Sequence, residues 1–325
     1  MQGASRGPLL PDVMERDLMK GYWQRLSAYR RGILWSETRD AFIFLLPWIL
    51  GFVLFTAGPM LASLYISFTR WEIVTPAVWV GPAQYLRLLR DDRFFLSLYN
   101  TAYYVFIGVP LHLFLALLAA LAMNMDLRGI RFYRTLYYVP SITPAVANAI
   151  LWLWIFHPQW GLANAILQSV GLKPLYWLQD PRLAKPSFII MSFWTIGGQM
   201  VILLAGLKGI PQTLYEAAEI DGAGAWRRFW HVTLPLLTPA LFFNLIIAII
   251  GAFQVFTQAY IMTEGGPNYA TLFYVLYLYR MAFENFRMGY ASAMAWVLFV
   301  IILVFTLLQF RISERWVFYE GSLRK

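Results

Sequence analysis

The 325-residue chain contains no cysteine. Disulfides and thiolate metal sites are therefore excluded. Histidine is nearly as scarce, and His112, His157 and His231 fall on separate segments without metal-ligand spacing. Charge is sparse too: 13% of residues are Asp, Glu, Lys or Arg, against about 25% in ordinary soluble domains. No Gly-x-x-x-x-Gly-Lys-Ser/Thr phosphate loop occurs. Asp221-Gly222-Ala223-Gly224 holds a Gly-x-Gly, but no strand pattern precedes it and the third glycine is missing. It reads as a turn, so the chain is not expected to hydrolyse nucleotide by itself.

What is present is oil. Hydrophobic residues make up 60% of the chain, and the mean hydropathy is +0.57. Apolar runs long enough to cross a bilayer recur along the whole length, which excludes a soluble globular protein. Six spans are expected, near 41–69, 98–123, 135–156, 187–206, 236–262 and 289–310. The fold class is an all-α, polytopic transmembrane helix bundle. The formal charge of +9 reads as orientation charge on loops rather than as a nucleic-acid surface.

Loop charge sets the orientation. With the N-terminus in the cytoplasm, the inside segments 1–40, 124–134, 207–235 and 311–325 carry 17 Lys/Arg, against 9 on the outside segments. Basic residues favour the cytoplasmic face, so both termini are expected inside. Residues 1–40 are polar, with no apolar core long enough for a cleavable signal. They read as a cytoplasmic tail or as an amphipathic helix on the membrane surface. Residues 312–325 form a second cytoplasmic tail. Pro47, Gly51, Gly58 and Pro59 are expected to break the first span, and Pro140 and Pro144 to bend the third.

Residues 207–235 form a cytoplasmic loop with an unusual build. Pro211 suits the first turn of a helix. Leu214 to Glu219 continue it with good helix formers, and Asp221-Gly222 end it, because glycine accepts the left-handed conformation of a helix terminus. A second short helix is expected over Ala225–Val232, stopped at Leu234-Pro235, with Pro239 in the first turn of the next span. The tip carries Ala217, Ala218, Gly222 and Ala223, small groups that let another surface approach closely.

The spacing of Glu216-Ala217-Ala218, Asp221-Gly222-Ala223, Phe229, Leu234-Pro235 and Pro239 resembles the EAA loop of binding-protein-dependent ABC importer permeases. Tyr85, Asn100 and Thr101 fit the block before the second span of the sugar-permease branch, although Gln84 stands where asparagine is usual. Gly265-Gly266-Pro267 resembles the block after the fifth span. The likeness covers roughly residues 41–311 and is to the first permease type of carbohydrate importers, the maltose and glycerol-phosphate kind. The large extracytoplasmic insertion and extra N-terminal spans of some maltose permeases are missing.

That resemblance implies a type I ABC importer permease in a bacterial or archaeal cytoplasmic (inner) membrane. It implies pairing with a second permease as a heterodimer, two ATPase subunits and an extracytoplasmic substrate-binding protein. ATP and Mg would be used by the ATPases, and this chain would bind no cofactor. Glu216, Ala217, Ala218, Asp221, Gly222 and Ala223 would form the coupling helix seated on an ATPase.

The substrate pathway is expected along uncharged polar faces. Ser192, Thr195 and Gln199 recur at helical spacing in the fourth span, as do Gly251, Gln254 and Gln258 in the fifth. Polar faces in lipid turn inward. Trp194, Trp152 and Phe253 are candidates to stack on sugar rings, and the same small and hydroxyl residues also suit plain helix packing. His112, the one ionisable residue central to a span, reads as a packing residue. Scarcity of buried acids weighs against an ion-driven symporter. Gly265, Gly266 and Pro267 read as a tight external turn. Two alternatives stay open: the same scaffold importing glycerol-phosphate, an anionic oligosaccharide or another polar solute, and a membrane-embedded transferase.

Overall fold

The computed structural model describes residues 37–318. The expected N-terminal amphipathic helix and the end of the C-terminal tail lie outside the described residues. The chain divides into two compact units, Met1–Ser63 and Leu64–Lys325.

Helix α1, Glu37–Ser67, supplies the described part of the first unit and runs a few residues into the second. Its 31 residues reach about 46 Å at 1.5 Å per residue, well beyond a hydrocarbon core of about 30 Å. Phe44, Trp48 and Phe55 are exposed, as lipid-facing side chains are. Pro47, Gly51, Gly58 and Pro59 do not break this helix, contrary to expectation. A π-turn at Val53–Ala57 closes on the Gly58 amide, which donates to Val53 O, so the helix widens locally before Pro59 instead of ending.

The second unit is almost wholly helical. A two-residue antiparallel ribbon, β1 (Thr69–Arg70) with β2 (Val78–Trp79), is followed by α2 (Ala83–Leu88) and α3 (Asp92–Met123). Asp91 caps α3 by accepting the Arg93 amide at 3.0 Å. Then come α4 (Ile130–Ile142), α5 (Ala145–Ile155), α6 (Leu162–Ser169), α7 (Pro181–Thr195) and α8 (Gly197–Lys208). The third expected span is the pair α4–α5, bent by 101°, and the fourth is α7–α8, bent by 49°. The sharp bend falls at Thr143-Pro144, where Thr143 is extended because a residue before proline disfavours the helical region. At the second bend Gly197 faces the Tyr137 carbonyl so closely that a side chain there would collide with backbone.

Helices α9 (Gln212–Ile220), α10 (Ala225–Phe253), α11 (Thr257–Met262), α12 (Tyr274–Tyr279) and α13 (Met288–Ser313) complete the unit. Three expectations are corrected here. Pro211 is the N-cap of α9, with ψ 131°, not a first-turn residue. Leu234-Pro235 does not end a short helix: α10 is continuous from Ala225, contains a π-turn at Phe229–Thr233, and carries Pro239 inside it. The fifth span stops at Phe253 rather than 262, and α11 is a separate helix.

Two buried clusters hold the unit together. One joins α3, α8 and α10 through Ala116, Ala120, Met200, Leu203, Leu207 and Leu237, small groups on α3 admitting the larger ones. The other gathers Phe188, Phe253, Leu272, Phe273, Tyr274 and Met294. Asn100 and Thr101 tie this cluster to the 265–273 loop. Asn100 Nδ2 donates to Tyr269 O at 2.8 Å and Leu272 O at 3.2 Å, and Thr101 Oγ1 accepts the Tyr274 amide at 2.9 Å. Gln84, in the place expected for asparagine, donates to Thr69 O at 3.0 Å.

Candidate functional site

Three groups of residues bear on function: the α9 knob, the polar residues of α7, α8 and α10, and the Gly-Gly-Pro loop. On the knob, helix formers from Gln212 to Ile220 end at Gly222, whose φ is +77°. The Ala223 amide donates to Ala218 O at 2.8 Å and the Gly222 amide to Glu219 O at 3.0 Å, the paired bonds of a Schellman terminus. Glu216, Ala217, Asp221 and Gly222 are exposed, and Ala218 and Ala223 are half-buried. Ile220 is 87% exposed and Trp226 74%, so an apolar rim surrounds the small-residue tip.

Cross-ties fix the knob to α10. The hydroxyls of Tyr215 and Thr233 lie 3.0 Å apart, and Arg228 pairs with Glu219. Its neighbour Arg227 is exposed. Trp226 stacks on Phe229 and Trp230 stands edge-on to both, with ring centroids 5.5–6.0 Å apart, which makes one side of this segment apolar.

Inside the helix bundle, Ser192, Thr195, Gln199 and Gly251 line one cavity of about 300 Å³. The first three share it although a short 3₁₀ turn at Phe193–Thr195 interrupts the helix. Gln254 does not join them: it lies past the end of α10 at φ −104°, ψ 17° and is exposed. Gln258 belongs to α11, so the expected face through Gly251, Gln254 and Gln258 does not exist. Trp194 is 46% exposed and lies outside the lining, edge-on to the buried Trp152 at 6.4 Å. Phe253 is packed against Phe305 at 5.5 Å and shows no free ring face.

His112 does line the cavity. It is 9% exposed and sits against the Ser192 backbone and the Gln199 amide, while its Nε2 has no hydrogen-bond partner. A buried polar atom left unpaired costs about 1–3 kcal/mol. The signal was available in the sequence, since a lone ionisable residue in an apolar helix marks a cavity or a partner.

The Gly265–Pro267 loop is a cross-linked turn. Gly265 takes φ +81° and the Gly266–Pro267 peptide is cis. The Gly266 amide donates to Thr263 O at 2.8 Å, and the Thr271 hydroxyl to Gly266 O at 2.6 Å. Asn100 holds the far side of the loop. Among the described residues no cluster of three His, Asp or Glu suits a metal ion.

Residues 94–317 match the family described as "Binding-protein-dependent transport system inner membrane component". The chain is 46% identical over 292 residues, 88% of this chain and 94% of the relative, to the "Probable ABC transporter permease protein YesP" of Bacillus subtilis. It is 34% identical to the "Trehalose/maltose transport system permease protein MalF" of Thermococcus litoralis, over 86% of this chain and 95% of that one. Among solved structures, a bacterial ABC transporter involved in import of the acidic polysaccharide alginate superposes with a TM-score of 0.77. That pair is 26% identical, covering 87% of this chain and 98% of the other.

Proposed function

This chain belongs to the family of binding-protein-dependent transport system inner membrane components, and from that premise we propose that it lines one half of an ATP-driven import pathway for a carbohydrate. It is a multi-pass ABC transporter permease, which removes the membrane-embedded transferase alternative. The carbohydrate reading rests on relatives named for trehalose and maltose transport. A second permease completes the pathway. Two ATPase subunits hydrolyse ATP with Mg, and a soluble binding protein delivers the sugar on the opposite side of a bacterial or archaeal inner membrane. Both termini lie with the ATPases in the cytoplasm, as the loop charges favour.

One observation carries the mechanism: the exposed, Schellman-capped knob is joined at both ends to the helices that line the polar cavity, α8 carrying Gln199 and α10 carrying Gly251. Seated in a groove of an ATPase, the knob moves as the ATPases close on ATP, and α8 and α10 move with it. Release of ADP and phosphate reverses the motion. Within the cavity, hydroxyl and amide groups exchange hydrogen bonds with sugar hydroxyls without gripping a charge. The His112 ring faces the cavity beside Gln199, so its Nε2 can exchange a hydrogen bond with a passing hydroxyl.

The test is ATP-driven uptake of labelled saccharides, neutral and acidic, by the reconstituted assembly. His112→Phe and Gln199→Leu should lower uptake at least tenfold while the ATPases still co-purify. Unchanged uptake would take the cavity off the route.

A further inference from the structure

On the face of the second unit opposite the knob lies a larger cleft, about 870 Å³ in volume, lined by Arg87, Arg90, Arg93 and Arg287. Three crossings separate the 83–93 segment from the knob, and one separates Arg287 from it, so both segments reach the same side. The four arginines come from the α2 region, the first turn of α3, and the approach to α13. All are exposed.

Among the described residues none of the four forms an ion pair, and with Asp91 and Asp92 also in the lining the four arginines leave the cleft a net charge of +2. The ion pairs among the described residues are Arg39–Asp40, Arg228–Glu219 and Arg280–Glu284. Two acids share the cleft, Asp91 and Asp92. The Asp91 carboxylate is already engaged: it accepts the Tyr277 hydroxyl at 2.5 Å, the Tyr290 hydroxyl, and the Arg93 amide at 3.0 Å. Two guanidinium groups lie over aromatic rings instead, Arg87 over Tyr290 at 5.5 Å and Arg93 over Tyr269 at 4.9 Å. Stacking steadies the guanidinium plane and leaves its N–H edge free. Other arginines have internal work: Arg134 donates to Met123 O and Arg280 to Glu264 O.

A guanidinium fork matches carboxylate or phosphate oxygens two at a time. A neutral sugar carries no charge to pair with these guanidinium groups. Each solvent-exposed ion pair is weak, so a ligand with one charge gains little, whereas a ligand with several gains from each in turn. Building on the carbohydrate-importer reading, we infer that this cleft receives a saccharide carrying several carboxylates, an oligomer of uronic-acid type, on the side of the membrane opposite the knob.

The probe is α-1,4-linked trigalacturonate, with maltotriose as the neutral control. Binding is measured by calorimetry on the assembled complex in nanodiscs of zwitterionic lipid at low salt. Trigalacturonate should bind, maltotriose should bind at least tenfold more weakly, and raising the salt should weaken the first alone. The Arg87→Gln/Arg90→Gln/Arg93→Gln variant should lose at least tenfold in affinity for trigalacturonate with its melting temperature unchanged. The corresponding lysine variant should recover only part, since lysine keeps the charge and loses the fork. Equal affinity for both trimers, or an undiminished triple variant, overturns the inference. So does a cleft whose arginines respond only to phosphatidylglycerol in the disc, or only to added binding protein, since the ligand is then lipid phosphate or a protein surface. ATP-driven uptake of any saccharide by the same complex reconstituted in proteoliposomes tests the parent reading separately: uptake without arginine-dependent binding sinks the cleft alone.

Discussion

Replacing Gly222 by valine isolates one link between the knob and transport. Gly222 sits at φ +77° with nothing within 4 Å of where a side-chain carbon would stand. Steric collision with neighbours therefore contributes nothing, and the cost is conformational. An L-residue in the left-handed region costs about 1–2 kcal/mol, and a β-branched one sits at the upper end. The turn is held by two backbone bonds, Ala223 to Ala218 and Gly222 to Glu219, worth about 1 kcal/mol each in net terms. The exposed Glu219–Arg228 pair adds little. Cost and support are thus comparable, and valine should reduce the population of the native turn about 5- to 30-fold. The assay is ATP-driven uptake in proteoliposomes, with the ATPase co-purifying with this chain measured beside it. Uptake should fall in the order Gly, Asn, Ala, Val, because asparagine tolerates this conformation best among side-chain residues. Gly224 supplies the control: it has φ −66° and equal open space, so Gly224→Ala should transport normally. If Gly222→Val matched wild type, or if Gly224→Ala were equally harmful, the turn conformation would have no part in coupling.

Asn100→Ala should cost about 3–5 kcal/mol, from two neutral bonds to the 269–272 carbonyls and a charge-assisted one from Lys185 at 3.0 Å; a thermal melt in detergent checks it, and a loss under about 1 kcal/mol would mean the loop is held elsewhere. For Asp91, burial raises the carboxyl pKa, but hydrogen bonds from Tyr277, Tyr290 and the Arg93 and Phe94 amides outweigh it and leave the group below its ordinary 3.8. Its stabilising contribution is therefore complete above that ordinary value and is lost as pH falls through the lowered one. Melting curves between pH 6 and about 2.5 should show a steeper acid loss in wild type than in Asp91→Asn; parallel curves would refute the assignment.

The parts of this molecule that local chemistry governs were readable. An apolar run long enough to cross lipid has few other fates, and Gly222 after a run of helix formers specifies its own left-handed turn. Where neighbours decide, reading failed. Leu234-Pro235 reads as a helix stop and Pro239 as the first turn of the next span, yet the π-turn at Phe229–Thr233 bonds the Leu234 amide to Phe229 O and carries the helix through. Gln254 looked like a continuation of the Gly251 face. Nothing in Gln254-Val255-Phe256 signals a break, and the helix ends there with Phe253 and Val255 buried in the core cluster. Pro144 announced a bend in the third span, but its 101° depends on how α4 lies against Gly197. His112 was read as packing because its cavity is assembled from three other segments, α7, α8 and α10, that share no sequence neighbourhood with it.

Those same contacts constrain how the knob can act on the cavity. Tyr215–Thr233 and Glu219–Arg228 bind α9 to the start of α10. At Gly206 an added side-chain carbon would stand 2.9 Å from Leu237 Cδ1 and 3.0 Å from Ala240 Cβ, so α8 and α10 touch with no slack. The knob, the end of α8 and the first half of α10 therefore have to move as one piece. Compliance must lie where the helices are already interrupted: at the 49° break between Thr195 and Gly197, and at 254–256 beyond α10. One break directly follows a cavity residue, Thr195, and the other begins two residues past the lining residue Ala252. A push on the knob would thus rotate a stiff body about points at the cavity's own edge. Lining residues next to those points move least, so in the proposed coupling the change in the cavity is larger at Ile247 than at Ala252.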